Sequence, residues 1–203
     1  LWDIVGPTLK AVRFLVLSSR SLVNLGRSFG GNIATLAARV DGRPLHDTDP
    51  WCALMRAVHA QLKGPMLCVC FKIREAATQR QTRWSVAVDG KGVHTTFHTP
   101  VYHIPKDECG GGSAWSAGLI DRLTESDVQW TRDVDEEGVA SFWSLATGSR
   151  AASVEVALRR ADLLAALCQE ERGDMSTVDR KRLSSNEGAF EGRPADITGG
   201  PFR

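Results

Sequence analysis

The stretch Val101-Tyr102-His103-Ile104-Pro105-Lys106-Asp107-Glu108-Cys109-Gly110-Gly111-Gly112-Ser113-Ala114-Trp115-Ser116-Ala117-Gly118-Leu119-Ile120 decides how the rest of the chain is read. Val101–Ile104 is a short apolar strand. Three glycines follow it, and Ser113–Leu123 is a helix. In a strand, glycine loop and helix, exposed backbone N–H groups and the positive end of a helix dipole converge on one place. A phosphate suits that place. The pattern alone has low specificity, because glycines before a helix also serve as a plain flexible turn. It matches neither the Walker pattern, which ends Gly-Lys-Ser/Thr, nor the dinucleotide fingerprint Gly-x-Gly-x-x-Gly.

Working outward, the flanks read as alternating helices and buried strands. Residues 2–13 are helical, interrupted at Pro7. Phe14–Leu17 is a buried strand. Residues 26–49, rich in Gly, Arg, Asp and Pro, read mainly as loop. Asp49 as N-cap and Pro50 at the first helical position start a helix. Its apolar face is Trp51, Leu54, Met55, Val58 and Leu62, and Gly64-Pro65 stops it. Met66–Phe71 is a strand covered on both faces. Trp84–Val88 and Val93–Phe97 flank the hairpin turn Asp89-Gly90-Lys91-Gly92. Residues 124–150 form an acidic insertion or long connection, with a short helix near Ala140–Ala146. Val154–Cys168 is a helix, Thr177–Leu183 a capped helix, and residues 185–203 a polar, disordered tail. The layout is α/β with a mostly parallel sheet.

Composition sets the limits. The 203 residues carry 25 Lys and Arg against 24 Asp and Glu. That balance argues against charge-driven capture of nucleic acid or of an acidic membrane. No apolar run approaches the roughly 18 residues of a membrane span. Five unclustered cysteines, Cys52, Cys68, Cys70, Cys109 and Cys168, read as reduced thiols in a cytoplasmic protein, with Cys68 and Cys70 in the core. They make no zinc site. His94 and His98 would share a strand face about 13 Å apart at roughly 3.3 Å per residue, too far for one metal. With His103 they read as half-exposed strand histidines, and no metal ligand set is assigned. The chain opens on Leu1, as if cut from something longer.

Asp107 to Ile120 resembles the C-terminal signature of ribokinase-like (PfkB) carbohydrate kinases, Asp-x-x-Gly-x-Gly-Asp-x-Phe-x-x-Gly. The Gly-Gly-Gly form followed by Ala-Gly-Leu-Ile is most similar to the 2-keto-3-deoxygluconate kinase branch. Other stretches agree in order. Met66–Glu75 resembles that branch's strand ending Thr-Leu-Arg-Glu, and Trp84–Gly92 the hairpin after it. Ala161–Asp174, ending Arg172-Gly173-Asp174, resembles the last helix and its exit. The likeness spans about residues 1–184, as the C-terminal part of a kinase domain.

The resemblance implies a three-layer α/β/α sandwich, C-terminal part only, with an inserted β-hairpin. It implies ATP, with Mg²⁺, as phosphoryl donor to a sugar or sugar acid such as 2-keto-3-deoxygluconate. By position, Gly110, Gly111 and Gly112 form the anion hole. Asp107 lines the site or helps hold a monovalent cation. Lys72 and Arg74 fall on the nucleotide side, with Lys72 where the branch has Thr. Ser113 stands where the family has its catalytic Asp. A serine is a poor general base near neutral pH, and losing a positioned base costs roughly 10²–10⁴ in rate. As an N-cap, Ser113 would still serve the helix start. The family's Asn-x-x-Glu, which organises Mg²⁺, has no counterpart in Leu17–Asn24, where no carboxylate occurs. The expectation is a fragment-like kinase with impaired catalysis. The alternative is an inactive relative, a pseudokinase, that binds nucleotide or a protein partner. The full-length form is expected to pair as a homodimer.

Overall fold

The computed structural model describes residues 2–125, 128–134, 141–146, 154–171, 178 and 180–191. Its main sheet has five strands: β1 (Phe14–Ser18), β2 (Met66–Arg74), β3 (Gln81–Asp89), β4 (Gly92–Thr95) and β5 (Val101–His103). Their order is β1-β2-β3-β4, with β5 also paired to β3. β1 and β2 are parallel, from Phe14 opposite Met66 to Ser18 opposite Cys70. The β2–β3, β3–β4 and β3–β5 pairs are antiparallel. The expectation of a mostly parallel sheet is therefore corrected. The short turns after β2 and β3 leave no room for a crossover, which takes a dozen or more residues.

Residues along β2 and β3 alternate between two helical layers. Leu67, Val69, Phe71, Trp84, Val86 and Val88 pack under α2 (Ser19–Phe29), α3 (Gly31–Val40) and α4 (Thr48–Leu62). Met66, Cys68 and Ala87 face α5 (Gly111–Leu123) and α6 (Val154–Gln169). This is the three-layer α/β/α arrangement that the resemblance implied. Phe71 stacks on Trp84 at 4.1 Å between centroids, and Trp51 meets Phe71 edge-on at 5.2 Å. Burying each such side chain is worth about 1.5–3 kcal/mol.

Residues 26–49 are not mainly loop. α2 and α3 cover most of the first half, and Leu22, Val23, Ala37 and Val40 from them are buried. The glycines there have packing and turn roles. A Cβ on Gly26 would lie 3.0 Å from Leu54 Cδ1 and 3.1 Å from Ala37 Cβ. Gly30 and Gly31, at the joint of the two helices, have φ +74° and +53°, which favours glycine. α4 starts two residues earlier than expected, with Asp47 and not Asp49 preceding it. Pro50 is tolerated because a first-turn N–H has no intrahelical acceptor. α1 (Trp2–Ala11) runs through Pro7.

The hairpin between β3 and β4 forms as expected, with Asp89 opposite Gly92. Asp89 Oδ1 accepts the Lys91 and Gly92 amides at 2.9 and 3.0 Å. The acidic segment holds a second hairpin, β6 (Trp130–Val134) and β7 (Ser141–Leu145), in place of the helix expected near Ala140–Ala146. Strand pairing prevails because this ribbon docks by its backbone and aromatics. Trp143 N donates to Gly64 O at 2.9 Å, Gly90 N to Ser144 Oγ at 3.2 Å, and Phe142 lies 4.8 Å from the His59 ring. α7 (Arg180–Glu191) seats Leu183 on Leu163 and Leu167. Residues 185–191, expected in the tail, are thus helical; residues 192–203, Thr177 and Arg172-Gly173-Asp174 lie outside the described residues.

Two histidine expectations are also corrected. His98 lies beyond the end of β4, and His103 is buried at 4% exposure. Cys68 is in the core as expected, Cys70 is half-buried and Cys109 exposed.

Candidate functional site

The glycine run opens α5 at the end of the sheet where β2 finishes. Gly110 precedes the helix with φ 72° and ψ −17°, a left-handed conformation, and no side chain caps the first turn. The expectation that Ser113 is the N-cap is corrected: Gly110 holds that position and Ser113 is the third residue of α5. The first-turn amides therefore lack intrahelical acceptors and face the positive end of a 13-residue helix. No acidic side chain lies in that turn.

Gly111 and Gly112 differ sharply. A Cβ on Gly111 would come within 2.6 Å of Gln169 Nε2 and 3.0 Å of Arg83 Nη2. Around Gly112 there is nothing within 4 Å. Gly112 and Ser113 are both exposed. Gly111 is thus wedged into the protein, and Gly112 is the open face of the loop.

Lys72 and Arg74, at the end of β2, reach the same loop through Glu108. Lys72 Nζ lies 3.6 Å from Glu108 Oε2, and Arg74 Nη1 donates to Glu108 Oε1. Glu108 is held in turn by Gln169, whose Nε2 donates to the Glu108 carbonyl at 2.9 Å. Asp107 is half-buried, and its Oδ1 accepts the Cys109 amide at 2.9 Å. The structure therefore brings Lys72, Arg74 and Asp107 to the glycine loop.

The sequence reading missed Arg83 and Gln169. Arg83 is buried on β3, donates through Nη2 to Gln169 Oε1, and has no partner at Nε. His103 Nε2 meets the same Gln169 oxygen at 3.1 Å. Burial pushes the His103 imidazole down to about 4, so it is neutral near pH 7. The available signal was a charged residue next to Trp84–Val88, the stretch read as a strand of the core hairpin.

Behind the loop, α5 is anchored by a buried carboxylate. Asp162 on α6 accepts from Ser85 Oγ at 2.5 Å, Thr96 Oγ1 at 2.8 Å and Trp115 Nε1 at 2.8 Å. Burial raises its pKa to about 6, the hydrogen bonds offsetting part of that rise. Trp115 stands at the Phe position of the signature and fixes α5 to β3 and α6.

Three cations, an open helix start and one bridging carboxylate suit an anion. They do not suit a resident Mg²⁺, which takes carboxylates together with substrate phosphates. Glu108 is taken by Lys72 and Arg74, and Asp107 is turned to its own loop. Among the described residues no group of three or more His, Cys, Asp or Glu is arranged for a metal. No helix among them is long and apolar enough to cross a membrane.

No family model matches the sequence, and no curated protein matches it. Solved structures do match. A 2-dehydro-3-deoxygluconokinase from Thermotoga maritima superposes with TM-score 0.57 at 10% identity, over 92% of this chain and 44% of that one. A protein assigned as a 2-keto-3-deoxygluconate kinase from Enterococcus faecalis gives 0.57 at 13% identity, over 90% and 42%. A PfkB family carbohydrate kinase from Listeria grayi gives 0.49 at 11%, over 91% and 62%. The chain spans less than half the length of the first two structures. At such identities the likeness is one of fold, and the chain shares the α/β fold of the first two structures over the part of their length that it spans.

Proposed function

We propose that the open first turn of α5 receives the terminal phosphate of ATP, and that the chain is the phosphate-handling part of an ATP-dependent carbohydrate kinase. Gly112 carries the reading: it is exposed, unobstructed to 4 Å, and sits in a helix start with no acidic residue. In this reading the amides of Gly110, Gly111 and Gly112 stabilise charge on the transferring phosphoryl group. Lys72 and Arg74 face the nucleotide, with Asp107 beside the loop. The acceptor is a sugar or a sugar acid such as 2-keto-3-deoxygluconate. Mg²⁺ arrives with the nucleotide and is not held by the loop's own carboxylates. A monovalent cation near Asp107, a cytoplasmic setting and pairing of the full-length form as a homodimer belong to the same reading.

Turnover is expected to be weak. Ser113 is exposed at the position of the family's base, and a hydroxyl does not take up a proton near neutral pH. This favours a second reading, a relative that binds nucleotide without transferring phosphate. Calorimetric titration with ATP and Mg²⁺, beside turnover on a sugar-acid panel, separates them. Wild type and Ser113→Asp are compared. ATP binding by both, with turnover rising by about 10²–10⁴ in the variant, supports an impaired kinase. Binding without turnover in either supports the second reading. Absence of ATP binding in both contradicts both.

A further inference from the structure

We propose that the cavity between α2 and the α3–α4 connection binds a small phosphorylated molecule. Its volume is about 320 Å³, at the small end of metabolite pockets. Arg20, Asn24 and Arg27 line it from one face of α2, Asp41 and Arg43 from the connection, and Trp51 from the first turn of α4. Three guanidinium groups against one carboxylate leave the wall with two formal positive charges. Arg27 meets Asp41 through Nη2, and Arg43 meets Asp47, which is not part of the wall, through Nη1. Arg20 is exposed and has no ion-pair partner among the described residues. The guanidinium fork matches the oxygens of a phosphoryl group.

One further observation favours an anion there. α2 begins at this cavity with no acidic residue in its first turn, so its positive dipole end faces no fixed counter-charge of its own.

The cavity is separate from the glycine loop, since Lys72, Arg74 and Gly110–Ser113 are not in its lining. Ser18 and Ser21, spaced like the family's Asn-x-x-Glu, bond each other at 2.8 Å and are not in the lining either. The room exceeds what a bare phosphate ion fills, which favours a phosphate ester.

Calorimetric titration of the whole chain with ribose 5-phosphate, inorganic phosphate and ribose, at matched ionic strength, tests the proposal. Saturable binding is expected for the ester, weaker binding for phosphate and none for ribose. The double variant Arg20→Gln/Arg43→Gln, both exposed positions, should weaken the ester by about tenfold or more, and an unchanged unfolding midpoint shows that it folds. Lys72→Gln/Arg74→Gln should bind the ester as wild type does. The proposal is overturned by no saturable binding of the ester. It is also overturned by equal binding in Arg20→Gln/Arg43→Gln, or by loss of binding in Lys72→Gln/Arg74→Gln, which would put the phosphate at α5. Phosphate binding as tightly as the ester would overturn the assignment to an ester.

Discussion

Gly111 and Gly112 are adjacent in the chain and opposite in constraint. Gly111→Ala forces a methyl to within 2.6 Å of Gln169 Nε2 and should cost about 1–3 kcal/mol in urea unfolding. Gly112→Ala meets nothing and should gain up to about 1 kcal/mol from helix propensity, while weakening ATP binding at the open turn. Equal unfolding free energies for the two would contradict the asymmetry. Glu108 occupies the two cations assigned to the nucleotide side. Glu108→Gln frees them, and ATP affinity should rise by up to about fivefold, as for an exposed ion pair worth at most about 1 kcal/mol. Titration is a further residue-scale property. Asp162 is held near 6 against an ordinary 3.8, so between these values the folded state keeps a proton that the unfolded chain has released. Its contribution is greatest below the lower value and is lost as pH rises through about 6. Burial holds His59 and His103 near 4 against 6.5, so the folded state lacks protons that the unfolded chain binds. Their contribution is lost in acid and complete above about pH 6.5. At about 1.4 kcal/mol per pKa unit each group swings stability by about 3 kcal/mol. Two histidines outweigh one carboxylate, so stability should climb from about pH 4 to about pH 6.5. Asp162→Asn should steepen that climb and His59→Gln flatten it, as read from urea midpoints across the range.

The contact of α5 with α6 rests on Gly118. A Cβ there would lie 3.0 Å from Ala161 Cα and 3.1 Å from Arg160 O, both backbone atoms that cannot swing aside. Gly118→Ala should push the helices apart and cost about 1–3 kcal/mol, against near neutrality for the half-buried Ser116→Ala, whose hydroxyl bonds Gly112 O within its own helix. Elements with strong apolar periodicity were legible in the sequence. Phe14–Leu17, Met66–Phe71, the Asp89–Gly92 hairpin and Val154–Cys168 all form near the places expected. α2 and α3 were not, because Gly26, Gly30 and Gly31 carry the composition of a loop while serving close packing and a joint. β7 was not, because the partners that hold Phe142, Trp143 and Ser144 come from residues 59–90 and local pattern does not contain them. The site divides the same way. The glycine run and its helix are local in sequence, as is their phosphate chemistry. Arg83 and Gln169 meet across 86 positions, so their closure of Gly111 is visible only after folding.

At the scale of the molecule, β1 is the informative strand. It ends the sheet order, paired to β2 on one side, and among the described residues no strand pairs with its other side. Its sequence Phe-Leu-Val-Leu-Ser has no charge and no proline. Both are devices by which edge strands avoid pairing with other chains. Phe14 and Val16 pack toward α5 and α6, and Leu15 and Leu17 toward α2–α4, all only partly buried. The two longer kinases share the fold over 44% and 42% of their length, so in them this half belongs to a larger body. The chain on its own should therefore self-associate through the free side of β1. Sedimentation velocity over a concentration series should show oligomers growing with concentration. Amide exchange should show β1 protection rising in step, while β3, buried along its whole length, stays unchanged. A monomer at every concentration, unfolding cooperatively and with constant β1 protection, would mean that the open edge is already satisfied within the chain.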